Sequence, residues 1–204
     1  DTQLMPASHS SRSDTLMVFL PGAFLNPDEF EREGFVSAVR ERDLAADVLL
    51  VHADVSYYYD QTFIERLDAD VLKPQRATGY RHIWLVGISI GGFGALIHEL
   101  ARPGYVDGIV ALAPYLGRRP VAAEIHKAGG LRAWKAPTGP LPDEEVDRKL
   151  WPWLQQYADS KHAKQKQLPP LYLGFGLADR FASNHKLLAG ALPSGPLFTT
   201  QGRP

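Results

Sequence analysis

The chain contains no cysteine. Disulfides, thiolate nucleophiles and cysteine-based zinc sites are therefore excluded. It also lacks an excess of either charge, with a formal net charge of −1. No overall field draws it to nucleic acid or to an anionic surface. Blocks of like charge are missing, and no apolar run reaches bilayer-spanning length. No secretory leader is visible, although the first residue is Asp1 rather than Met. The chain thus reads as a processed or trimmed soluble product, cytoplasmic or else periplasmic or secreted. No cofactor motif stands out. His52 and Asp54 could begin a metal site, but no third ligand accompanies them.

What is present is a chain of 204 residues, enough for one domain with a substantial core. Residues 1–14 are polar and serine-rich and read as a flexible lead. Thr15-Leu16-Met17-Val18-Phe19-Leu20 is a short apolar run stopped by Pro21-Gly22, as a buried strand would be. Asn26-Pro27-Asp28-Glu29 opens a helix, with Asn26 as the cap and acids facing the helix dipole. Asp47–Val51 is a second strand. Phe63, Ile64, Leu67 and Val71 recur at helical spacing before Pro74 and Gly79 end that segment. His82–Val86, Gly108–Leu112, Leu171–Phe175 and Leu197–Thr200 complete a set of about six strands. Strands alternating with helices imply an α/β fold with a mostly parallel sheet covered on both faces.

Residues 114–170 break that rhythm. They hold Pro114, Pro120, Pro137, Pro140, Pro142 and Pro152, the tryptophans Trp134, Trp151 and Trp153, and an acidic helix start at Asp143-Glu144-Glu145. A crossover between parallel strands needs only about a dozen residues. The segment reads as a Pro/Trp-rich insertion, a cap or lid over one sheet edge. The remainder, 15–204, forms a single domain around it.

The chemistry is concentrated in Gly87-Ile88-Ser89-Ile90-Gly91. An apolar strand leads into this G-x-S-x-G, and a helix-like segment, Phe93–Leu100, follows directly. Strand, sharp turn through a serine, then helix is the layout of a nucleophile elbow. Glycines flank the serine because side chains there would collide with neighbouring backbone. Open parallel sheets place their sites at the carboxyl ends of the strands, and each further candidate lies at that edge. The N–H of Ile90 and that of Ala23 or Phe24, in the loop after the first strand, are candidates to hold an oxyanion; Pro21 has no N–H to give. Asp179 follows the fifth strand, where it can orient an imidazole or simply cap the next helix. Val55-Ser56-Tyr57-Tyr58-Tyr59-Asp60 follows another strand end, either as a substrate pocket or as surface packing.

These residues resemble the α/β-hydrolase fold family. Phe19-Leu20-Pro21-Gly22-Ala23 is similar to its oxyanion loop, Gly87–Gly92 to its elbow, and Leu173–Arg180 to its acid loop. The resemblance runs from Thr15 to the C-terminus, outside the insertion. It implies a serine hydrolase that cleaves carboxylic esters or thioesters through an acyl-serine intermediate, acting on a small molecule. Ser89 and Asp179 would be catalytic, and Ala23, Phe24 and Ile90 would form the oxyanion hole.

The departure from the family concerns histidine. The family order is Ser, acid, His, and the His follows the last strand, where this chain reads Gln201-Gly202-Arg203-Pro204. His185 falls in a predicted helix, His52 ends a strand at the active edge, His82 sits at the opposite edge and His98 lies on the elbow helix. His9, His126 and His162 have no supporting context. Either the base lies beyond Pro204, or the chain is a non-catalytic binding protein on the same scaffold. An acyltransferase sharing the acyl-serine is a third reading.

Overall fold

The computed structural model describes residues 1–7, 13–139, 141–142, 145–159, 167–192 and 197–200. His9, Pro140, Asp143, Glu144, His162 and 201–204 lie outside the described residues. In chain order the elements are β1 (Thr2–Met5), β2 (Thr15–Leu20), α1 (Asp28–Arg32), α2 (Phe35–Glu41), β3 (Asp47–Val51), α3 (Ser56–Tyr59), α4 (Phe63–Arg66) and α5 (Lys73–Ala77). They continue with β4 (His82–Ile88), α6 (Ile90–Ala101), β5 (Gly108–Leu112), α7 (Arg119–Lys127), α8 (Val146–Gln155), β6 (Leu171–Gly176), α9 (Ala182–Ala189) and β7 (Leu197–Thr200).

The strands form one sheet of seven in the order β1-β3-β2-β4-β5-β6-β7. All neighbours run parallel except β1, which pairs antiparallel with β3. The sheet is thus one strand larger than the sequence reading, and the difference is β1. Thr2–Met5 was expected in a flexible lead. It instead joins the sheet by register Thr2 to Val51 through Met5 to Val48. Its side chains are largely exposed, as suits an edge, and so carry no buried apolar alternation to read.

Successive side chains of a strand point to opposite faces, and both faces of this sheet are apolar. Leu16, Val18 and Leu20 of β2 join Ile83, Leu85, Ile109 and Leu173 in a large core beneath α6 and α8. Phe19, Val48, Leu50 and Val86 face the other way, against Phe30 of α1 and Val39 of α2. Every residue of β3 is buried, which explains why its sequence is an unbroken apolar run after Asp47.

Two helix boundaries differ from the sequence reading. Pro27 occupies the cap position of α1, and Asn26 offers only its carbonyl, which accepts the Glu29 N–H at 3.1 Å. Pro74 does not end the helix after Phe63. A π-helical stretch, Leu67–Leu72, connects α4 to α5, and Pro74 sits in the first turn of α5. The π-helical winding just ahead accommodates a residue that has no N–H to give.

The proline- and tryptophan-rich segment contributes to the main core. Leu116, Ile125, Trp134, Leu150, Trp151 and Trp153 are all buried within it. Pro152 lies inside α8, which begins at Val146 with Glu145 at its cap position.

Candidate active site

β4 delivers Ser89 to the carboxyl edge of the sheet, and α6 begins at the next residue. Ser89 adopts φ 53° and ψ −113°. A non-glycine residue in such a conformation carries roughly 1–3 kcal/mol of strain and persists only when its surroundings fix it. Three backbone bonds do so. The Ser89 N–H donates to the Leu112 carbonyl at 2.9 Å, and its own carbonyl accepts the N–H groups of Phe93 at 3.0 Å and Tyr115 at 2.9 Å. The flanking glycines permit the turn. A Cβ on Gly87 would strike the Gly91 carbonyl, and one on Gly91 would strike the Leu20 and Pro21 carbonyls.

Ser89 opens onto a cleft of about 550 Å³. Ala23 and Ile90 line it with Ser89. Ile90 is the first residue of α6, so its N–H has no intrahelical acceptor and points out of the positive helix end. Phe24 does not line the cleft: its side chain is 91% exposed and its φ is 66°. Within the loop after β2, Ala23 lines the cleft with Ser89. The aromatic run after β3 divides, with Tyr58 and Tyr59 lining the cleft and Tyr57 facing away into a smaller cavity that includes His52.

Asp179 follows β6 at the same edge. One carboxylate oxygen accepts the Phe181 N–H at 2.6 Å, and its carbonyl accepts the Ala182 N–H at 2.9 Å. The turn it ties brings Arg180 and Phe181 to the cleft wall, while Asp179 itself is half-buried and does not line the cleft.

No histidine lines the cleft among the described residues. His52 lines the cavity of about 140 Å³ beside β1. His82 begins β4 at the far edge, with Nδ1 3.2 Å from Asp107. His98 is fully buried on α6, its Nε2 2.7 Å from an Asp68 oxygen that belongs to the π-helical stretch. His185 is also fully buried, and its Nε2 donates to the Pro114 carbonyl at 2.9 Å. A carbonyl only accepts, so this nitrogen carries the proton. Burial depresses the pKa of both imidazoles below the ordinary value of 6.5. Asp54 is engaged locally: its carboxylate accepts the Ser56 N–H at 2.8 Å, which lowers its pKa.

The sequence reading missed the rest of the cleft. Tyr115, Arg118 and Asp147 reach it from the long segment between β5 and β6. Asp147 accepts the Arg118 N–H at 3.0 Å and faces the Arg118 Nε at 3.4 Å. Only Tyr115 had a usable signal, its place just beyond a strand end.

No protein-family model and no curated protein matches the sequence. Solved structures do match the fold. Est1E from Butyrivibrio proteoclasticus, with ferulic acid bound, is 13% identical with TM-score 0.63, over 98% of this chain and 84% of that one. The S-formylglutathione hydrolase FrmB from Staphylococcus aureus is 14% identical with TM-score 0.55, over 97% of this chain and 74% of that one. MenH from S. aureus is 14% identical with TM-score 0.58, over 97% and 89%. A seven-stranded, mostly parallel sheet, a strained serine between β4 and α6 and these likenesses agree: the chain has the α/β-hydrolase fold.

Proposed function

We propose that the protein is a serine hydrolase that cleaves carboxylic esters or thioesters of small molecules through an acyl-serine intermediate. The observation that carries this reading is Ser89, held at positive φ at the mouth of a cleft with the N–H of Ile90 beside it. In this reading the Ser89 hydroxyl attacks the substrate carbonyl while a base takes its proton. The N–H groups of Ile90 and Ala23 hold the oxyanion. Collapse of the tetrahedral intermediate breaks the bond to the leaving oxygen or sulfur, which takes the proton back from the base. Water then attacks the acyl-serine by the same path in reverse. Asp179 orients the base. Residues 114–170 act as the cap, since Tyr115, Arg118 and Asp147 form one wall of the cleft. Neighbours of the same fold bear names of ester- and thioester-cleaving enzymes, which supports the reading at the level of fold.

The test is hydrolysis of an activated ester together with fluorophosphonate labelling read by mass spectrometry. Ser89→Ala is expected to abolish both while circular dichroism stays unchanged. Undiminished hydrolysis in that variant overturns the proposal. A rise of kcat/KM through the imidazole pH range is expected if a histidine is the base. A non-catalytic binding protein is the second reading, favoured by the lack of any histidine on the cleft wall among the described residues. Ligand binding without Ser89 labelling would select it.

A further inference from the structure

The wall of the cleft is a continuous line of aromatic rings that ends in a cation. Tyr58 and Phe93 lie 6.5 Å apart by ring centroids, Phe93 and Tyr115 5.4 Å, and Tyr115 and Phe181 6.4 Å. Ser89 sits in the middle of the line, since its carbonyl binds the backbone of both Phe93 and Tyr115. At the end, the guanidinium carbon of Arg180 stands 4.7 Å from the centroid of Phe181. A flat cation on an aromatic face is held in place and partly stripped of water, yet keeps its hydrogen-bonding edge free.

The charges around the cleft do not cancel. Among the described residues its lining holds two guanidiniums, Arg118 and Arg180, and one carboxylate, Asp147. Asp147 is committed to Arg118 through both its backbone and its side chain. Asp179, next to Arg180 in sequence, is bound to the Phe181 N–H instead. Among the described residues no carboxylate forms an ion pair with Arg180. Among the described residues, one positive charge in the cleft is therefore left for a ligand.

We infer that the cleft selects substrates with a flat or extended apolar body and a carboxylate at the end remote from the bond cleaved, and that Arg180 is the residue that selects it. The apolar body lies along the ring line past Ser89, and the carboxylate meets the guanidinium edge in a two-point contact. A carboxylate fits better than a phosphate dianion, because a single uncompensated guanidinium balances one negative charge. The assignment of this anion as part of a substrate rests on the reading of Ser89 as nucleophile; the anion site itself does not.

The experiment separates the two. Binding of 4-phenylbutanoate and its uncharged amide to the Ser89→Ala chain is measured by calorimetry at low salt. The acid is expected to bind about tenfold more tightly, a margin of about 1.4 kcal/mol, and rising salt should shrink the difference. Arg180→Ala is expected to bring the two affinities together, and Arg180→Lys to retain part of the preference. Equal affinities in the parent, or a preference that survives Arg180→Ala, overturn the inference. Turnover is then compared for the mono-p-nitrophenyl ester of glutaric acid and the same ester with its free acid methylated. A higher kcat/KM for the anion, carried mainly by KM and collapsed toward unity by Arg180→Ala, supports the full inference. An Arg180-dependent binding preference without Ser89-dependent turnover supports the anion site but overturns the nucleophile reading. Ser89-dependent turnover with no anion preference overturns the substrate assignment alone.

Discussion

A single methyl group at Gly87 or Gly91 has nowhere to go. At each position the new carbon would meet backbone carbonyls, which cannot swing aside as a side-chain tip can. Gly87→Ala and Gly91→Ala are each expected to cost about 1–3 kcal/mol in urea unfolding and to slow fluorophosphonate labelling sharply, because Ser89 loses its fixed geometry. Gly176→Ala is the control: its nearest neighbour to an added Cβ is the Thr200 hydroxyl at 3.9 Å, and stability should barely change. An equal loss in all three would sink the steric explanation. At this scale Ser89 was legible in the sequence because its constraints are local, written within five consecutive residues. Arg118 and Asp147 were not. They reach the cleft only through the packing of a long segment whose fold no local pattern specifies.

Two helices carry buried imidazoles whose protonation the fold disfavours. His98 on α6 binds Asp68 with Nε2, and its Nδ1 is buried without a partner among the described residues. His185 on α9 has the same arrangement, with Pro114 as acceptor. Protonation would add a buried donor with nothing to receive it, so burial lowers both pKa values below 6.5. The sign follows directly. Below that pH the unfolded chain takes up protons that the folded chain refuses, so stability present above the unfolded pKa is lost as pH falls. The unfolding midpoint is expected to drop between about pH 7 and pH 5, and less steeply in His185→Gln. An identical slope in that variant would remove His185 from the account. Helix interiors were readable from apolar spacing, whereas the passage through Pro74 was not. Propensity marks proline as a stop, but a π-helical stretch just ahead of it let the chain continue.

For the whole molecule, alternation of strands and helices sufficed to indicate the sheet and the edge where Ser89 lies. It could not indicate β1, because an exposed edge strand held by backbone bonds leaves no hydrophobic signature. That strand has a role of another kind. β3 is buried along its full length, and β1 occupies the hydrogen-bonding side that β2 does not. Without Thr2–Met5, a row of unpaired N–H and C=O groups on a strand that is apolar from Val48 to Val51 would face solvent, and such an edge recruits strands from other copies. Deletion of residues 1–7 is expected to leave a chain that elutes as soluble aggregates in size-exclusion chromatography; a monodisperse peak at the parent position would refute this. The least conspicuous strand of the sheet would then act as a gatekeeper against self-association, so fusions and tags placed at this end would alter solubility before they altered chemistry.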